Sequence, residues 1–181
     1  VREQYAPDLI ITIDYDSLFT EKEVGQLVTL MVDNPGVDVI VPMQQKREGG
    51  ELLATTSGEV NIGAALVPIT IGHFGLTIFR ASLFDRLKKP WFWEAPDPNG
   101  SWNENRTDAD IGFWKNCEEL GARVCLGLDV MVGHGEYVVT WPGQDLRPVY
   151  QAMNTWRDAG RPDAAFRRER AGDTKAALDM K

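Results

Sequence analysis

Leu9-Ile10-Ile11-Thr12-Ile13-Asp14-Tyr15-Asp16 decides how the rest of the chain is read. A nearly continuous run of apolar and β-branched residues predicts a strand covered on both faces, as in an α/β sheet. The run stops at an acidic group. Beyond it, Ser17 or Thr20 can cap a helix that carries Val24, Leu27, Val28 and Met31 on one face. Asn34-Pro35-Gly36 ends that helix, and Val37 to Met43 forms a second strand. Strand, helix and strand in this order predict adjacent parallel strands joined by the helix.

Farther along, Gln44 to Glu59 is polar, with Gly49-Gly50 and Ser57-Gly58 as turn signals, and suggests a hairpin or a mobile loop. Ile62 to Ile71 fits an irregular strand or a short helix equally well. Leu76 to Phe79 is strand-like, and Ala81 to Lys88 reads as a short helix ended by Pro90. Pro90 to Asn105, dense in Trp, Pro, Asn and Gly, is a loop. Ile111, Trp114, Cys117 and Leu120 then mark a helix with Asp108 as N-cap and Gly121 as C-cap. Val124 to Val132 is another strand. The fold class is therefore α/β, a mixed sheet flanked by helices over residues 1–148. Residues 149–181, whose last part is rich in Ala and Arg, read as a helical or partly disordered tail.

Composition bounds the function. The chain has 181 residues, with 19 Lys and Arg against 27 Asp and Glu, a net charge of −8. So acidic a surface repels phosphate backbones and excludes general nucleic-acid binding. It leaves room for a nucleotide held through a metal ion, since a cation reverses the local field. Mean hydropathy is −0.28, and no apolar run approaches the ~18 residues of a membrane span. Two cysteines, Cys117 and Cys125, are too few for a disulfide framework, so a reduced, cytoplasmic chain is the expectation.

Asp14 and Asp16 are the sharpest chemical feature. Ligands bind at the carboxyl ends of strands in open α/β sheets, and two carboxylates in a turn can converge on one divalent cation. The plainer account makes Asp14 a turn cap and Asp16 the start of the helix. Asp108-Ala109-Asp110 divides in the same way. Asp108 is a natural N-cap and Asp110 a first-turn acid favoured by the helix dipole, yet Asp110 could also serve as a general base. His134, between Gly133 and Gly135, is free to reach a ligand, whereas His73 reads as a packed or loop residue. Trp91, Trp93 and Trp102 could stack on a sugar or a base, or simply form the miniature core of their loop. Asp97 to Asp108 falls short of a calcium loop because Trp102 stands where Gly is needed. Ser82 and Ser101 lack histidine–acid partners, and Gly133-His134-Gly135 lacks the spacing of a phosphate loop.

The order of these motifs, from Leu9 to Gly135, resembles the later part of glycosyltransferases with the GT-A fold, particularly family-2-like enzymes. The resemblance implies that Asp14 and Asp16 are the Asp-x-Asp pair, contacting the donor ribose and the metal-bound diphosphate. It implies that His134 completes the coordination of Mn²⁺ or Mg²⁺ and that Asp110 is the catalytic base. Trp91, Phe92 and Asp108 would lie on the acceptor side. Donor and acceptor are then a nucleotide-sugar, with a UDP-sugar expected, and a carbohydrate. Two departures stand out. Ala109 occupies the place where such enzymes often carry Glu, and only eight residues precede Leu9 where the family has a βαβ nucleotide-binding half. On that reading the chain is a fragment, beginning in mid-sequence at Val1, that would self-associate through the exposed flank of its sheet.

Two other classes compete. Asp14-Tyr15-Asp16-Ser17 nearly fits a haloacid-dehalogenase-like phosphohydrolase, with Asp14 as nucleophile, although Leu18 stands at the position where that motif carries Thr or Val and cannot supply the Thr hydroxyl. The other is a non-catalytic, transferase-like carbohydrate-binding module.

Overall fold

A computed structural model of the chain describes residues 6–47, 51–56, 58, 61, 63–103 and 105–167. The opening run forms strand β1 (Leu9–Thr12), and a turn closed by Ser17 N–H on the Asp14 carbonyl leads to the two-residue strand β2 (Ser17–Leu18). Helix α1 (Glu21–Asp33) starts at Thr20, not Ser17. The Thr20 side chain caps the first turn while Glu23 reaches back 2.8 Å to the Thr20 backbone N–H, a reciprocal capping box. Strands β3 (Val39–Met43), β4 (Thr55–Thr56), β5 (Leu66–Ile71) and β6 (Thr77–Arg80) follow, then the short helix α2 (Leu83–Arg86). Helix α3 (Ala109–Leu120) runs between the Asp108 cap and Gly121, whose φ of 71° is the left-handed conformation that closes helices. Strands β7 (Val124–Met131) and β8 (Gly133–His134) come next. Of the stretch that periodicity left open between strand and helix, Leu66–Ile71 is the strand β5 and Ile62 lies outside the described residues, and the polar stretch after β3 has an antiparallel bridge between Gln45 and Leu52.

One mixed six-stranded sheet has the order β1-β6-β3-β7-β5-β4. The expectation that β1 and β3 are adjacent parallel neighbours is corrected here: β6 lies between them, antiparallel to both, and β3 pairs in parallel with β7 instead. The reason is visible in burial. Ile78 and Phe79 of β6 are fully buried and supply one apolar face each, whereas every residue of β1 is only half-buried and suits an edge.

Alternation along the central strands splits the core in two. Val39 and Val41 face the layer built with Leu83, Phe113, Trp114 and Cys117 from α2 and α3. Ile40, Ile78 and Cys125 face the opposite layer, where Leu27 and Met31 of α1 pack. Helices thus cover both faces, and none among the described residues is long and apolar enough to cross a membrane.

The described residues from Glu136 onward cluster as a separate unit. Within it β9 (Val138–Pro142) and β10 (Pro148–Ala152) form an antiparallel hairpin that leads into α4 (Met153–Ala159). Buried Gln151 accepts a hydrogen bond from Trp141 Nε1 at 3.0 Å and donates to the Gly160 carbonyl at 2.8 Å, tying hairpin to helix end. The chain therefore divides after Gly135, and the boundary expected at 148/149 falls inside this hairpin. The end of the expected tail, 168–181, lies outside the described residues.

Candidate active site

Strands β1, β3 and β7 run in the same direction, so their carboxyl ends share one edge of the sheet. A cavity of about 540 Å³ opens there. Its wall includes Asp14 and Asp16 from the turn after β1, Lys46, Arg47 and Glu51 from the segment after β3, Asp108 and Asp110 from the start of α3, and His134 from β8. Residues as far apart in sequence as 14 and 134 are thus brought together at one opening.

Two local devices position the imidazole. The β3–β7 pairing slips between Pro42 and Met43: Pro42 sits opposite Gly127, but Met43 sits opposite Met131. The extra residues of β7 bulge out, and the strand's end leaves the sheet to pair with β2, setting His134 opposite Ser17. Gly135 N–H then donates to the Asp16 carbonyl at 2.7 Å. Buried Gln44 braces the pair from below, its Nε2 donating to the Gly133 carbonyl at 3.2 Å.

His134 Nε2 lies 3.3 Å from Asp16 Oδ2. Its Nδ1 is 2.9 Å from the Gln45 carbonyl, which can only accept, so Nδ1 carries the proton. Nε2 accepts from Arg47 Nε at 3.2 Å, and Arg47 Nη2 is 3.1 Å from Asp16 Oδ2. Asp16 and His134 thus aim two acceptors at one guanidinium. Among the described residues no group of three His, Cys, Asp or Glu side chains is arranged to hold a metal ion. The donor chemistry nevertheless fits a divalent ion, because Mg²⁺ or Mn²⁺ at a phosphate site needs only one or two protein ligands, with water and substrate oxygens completing the shell. Asp14 is exposed on the same cavity wall.

Asp108 behaves as its position at a helix start predicts, accepting from Ile111 N–H at 3.0 Å. Asp110 is different. Desolvation against the cavity wall, then the negative charges of Asp108 and Asp14, raise its pKa from the ordinary carboxylate value.

His73 also lines the cavity but is a structural residue. Its Nε2 is 2.9 Å from the Pro42 carbonyl, its Nδ1 accepts from Gly75 N–H at 3.1 Å, and burial pushes its pKa down. The expected acceptor-side aromatics divide. Trp91 is absent from the cavity wall: its ring packs edge-on against Phe84, 5.0 Å between centroids, in the miniature core of the loop. Phe92, partly exposed, stacks on Phe113 and touches Phe74, which does line the cavity. Trp93 bonds Asn116 Oδ1, and Trp102 is exposed. The Asp97 loop is held by its own Asx turn, with Asp97 accepting from Asn99 and Ser101 N–H and from Asn103 Nδ2. Sequence reasoning passed over Arg47. The available signal was the Lys46-Arg47 pair, separated by two residues from an apolar strand that ends at the same sheet edge.

No family model matches this sequence, and no curated protein matches it. Among solved structures, the crystal structure of A197 from STIV aligns over 93% of this chain and 74% of its own, at 13% identity and a TM-score of 0.49. That likeness carries no functional argument.

Proposed function

We propose that the chain is a metal-dependent glycosyltransferase domain that moves a sugar from a nucleotide-sugar, foremost a UDP-sugar, to a hydroxyl of a carbohydrate acceptor. One observation carries the reading: Asp14, Asp16, Asp110 and His134, from three separate places in the chain, line a single cavity at the carboxyl edge of the sheet. Mn²⁺ or Mg²⁺ held by Asp16 and His134 would supply Lewis-acid neutralisation of the departing diphosphate. The chain's own groups do the rest. The Gln45 carbonyl fixes the His134 ring with Nε2 turned toward Asp16. Asp14, at the open rim, is available to ribose hydroxyls. In an inverting reaction Asp110 accepts the acceptor's hydroxyl proton as that oxygen bonds to the anomeric carbon, and the electron pair of the breaking bond leaves on the diphosphate. Its raised pKa makes it a better base than an ordinary aspartate.

Calorimetric titration of the chain with uridine diphosphate, with and without Mn²⁺, tests the reading. Binding heat that requires Mn²⁺ and disappears in Asp16→Ala supports it, as does a loss of transfer in Asp110→Asn of roughly 100-fold or more. Absence of Mn²⁺-dependent nucleotide binding overturns it. Phosphate release from small phosphomonoesters, abolished by Asp14→Asn, would assign the cavity to a phosphohydrolase instead.

A further inference from the structure

The Asp16–His134 pair already has a cation, and it is Arg47. The tautomer argument makes this specific. With the Nδ1 proton committed to the Gln45 carbonyl and Arg47 Nε–H, which can only donate, directed at Nε2, His134 Nε2 presents a lone pair, and it stands 3.3 Å from an oxygen of Asp16 that presents another. Two acceptors face each other at that distance only with positive charge between or beside them. Arg47 supplies it through two separate nitrogens, Nε to the imidazole and Nη2 to the carboxylate. Both acceptors are well covered, with side-chain exposures of 13% for Asp16 and 16% for His134, while the arginine side chain is 44% exposed. The seat is fixed by the β2–β8 pairing, and its occupant is a long side chain with one flank in solvent.

We propose that Arg47 is the resident counter-ion of the cation seat, displaced when a divalent ion enters and then placed on the donor diphosphate; this rests on the glycosyltransferase reading. A guanidinium and a divalent ion cannot share two acceptor atoms, because they repel at contact distance and compete for the same lone pairs. Displacement does not remove Arg47 from the cavity. Its backbone stays in the segment held by Lys46 N–H on the Glu51 carbonyl and Leu53 N–H on the Gln44 carbonyl, beside the ammonium of Lys46. A guanidinium in that place has the fork geometry for two diphosphate oxygens. Metal alone must therefore evict Arg47 without compensation, whereas metal with nucleotide gives it a new partner. The residue makes the two ligands bind cooperatively.

Manganese binding, followed by the electron paramagnetic resonance signal of free Mn²⁺, tests this without any catalytic readout. Arg47→Met keeps the length of the stem and removes the charge. It is expected to tighten the binding of Mn²⁺ alone at least fivefold, and to reduce at least fivefold the factor by which uridine diphosphate enhances Mn²⁺ affinity. Arg47→Lys, a point charge that cannot bridge both acceptors, is expected to fall between. A merely structural arginine would weaken both ligands together. Unchanged or weaker Mn²⁺ affinity in Arg47→Met, or no Mn²⁺ binding by either protein, overturns the proposal. Failure of the transferase reading is distinguishable: uridine diphosphate then leaves Mn²⁺ affinity unaltered in both proteins while the tightening in Arg47→Met persists.

Discussion

Gly75→Ala is the substitution whose effect can be worked most directly from the geometry around the site. A Cβ built at Gly75 would lie 2.5 Å from Ser17 Oγ, 2.8 Å from Gln44 Oε1 and 3.2 Å from His73 Nδ1. Ser17 can turn its hydroxyl aside. Gln44 has less freedom, because it is 3% exposed and its Nε2 is engaged with the Gly133 carbonyl. Forcing one methyl into such a site costs about 1–3 kcal/mol through displaced side chains and backbone. With a urea dependence of about 2 kcal/mol per molar, a cost of about 2 kcal/mol lowers the unfolding midpoint by about 1 M. Equilibrium urea unfolding followed by tryptophan fluorescence measures it. The double variant Gly75→Ala with Ser17→Ala removes the nearest obstructing atom and should recover part of the loss, a coupling above about 0.5 kcal/mol. Additive effects, or a midpoint unchanged by Gly75→Ala, would refute the claim that this glycine is required by the close approach of β2 and Gln44.

Three further outcomes are expected. His73 is buried with its pKa held below the ordinary value of 6.5, so the unfolded chain takes up a proton that the folded chain refuses. Stability should therefore be fully present above about pH 6.5 and decline as pH falls through that value, with a shallower slope in His73→Gln, as denaturation at several pH values will show. Asp108→Asn keeps a good N-cap while removing a charge that raises the Asp110 pKa, so, on the proposed transferase function, the acid limb of the transfer rate should move to lower pH with little change in stability. Asn116 donates to the Pro90 and Trp91 carbonyls and accepts from Trp93 Nε1; Asn116→Leu strands these groups and should cost about 2–4 kcal/mol in urea unfolding.

The sequence was most legible where local chemistry is self-contained. Asp108 and Gly121 bracket α3 as their side-chain and backbone preferences require, and the apolar run of β1 led to a carboxylate turn that lines a cavity at the sheet's edge. What escaped was set by long-range pairing. Nothing local to Thr77–Arg80 states that β6 will insert between β1 and β3; that choice is made by burial of Ile78 and Phe79 on opposite faces once both helical layers exist. The hairpin of β9 and β10 was missed because its residues alternate on an exposed surface with weak apolar contrast. Arg47 was missed for a similar reason: a basic residue in a polar stretch reads as solvated until the fold sets an imidazole and a carboxylate beside it. Trp91, which the sequence left open between sugar stacking and the loop's own core, packs on Phe84.

The slipped register between β3 and β7 couples the reach of His134 to the packing of the core. Upstream of it, Cys125 and Leu126 are locked into the frame, and changes there are felt as folding defects. Downstream, Val130 and Val132 are buried in the layer packed with α1, so losing a single residue from the bulge would shift them along with the imidazole. The place of the imidazole at this edge is thus tied to the packing beneath it, and a change in strand length that moved the histidine would be felt as a loss of core contacts.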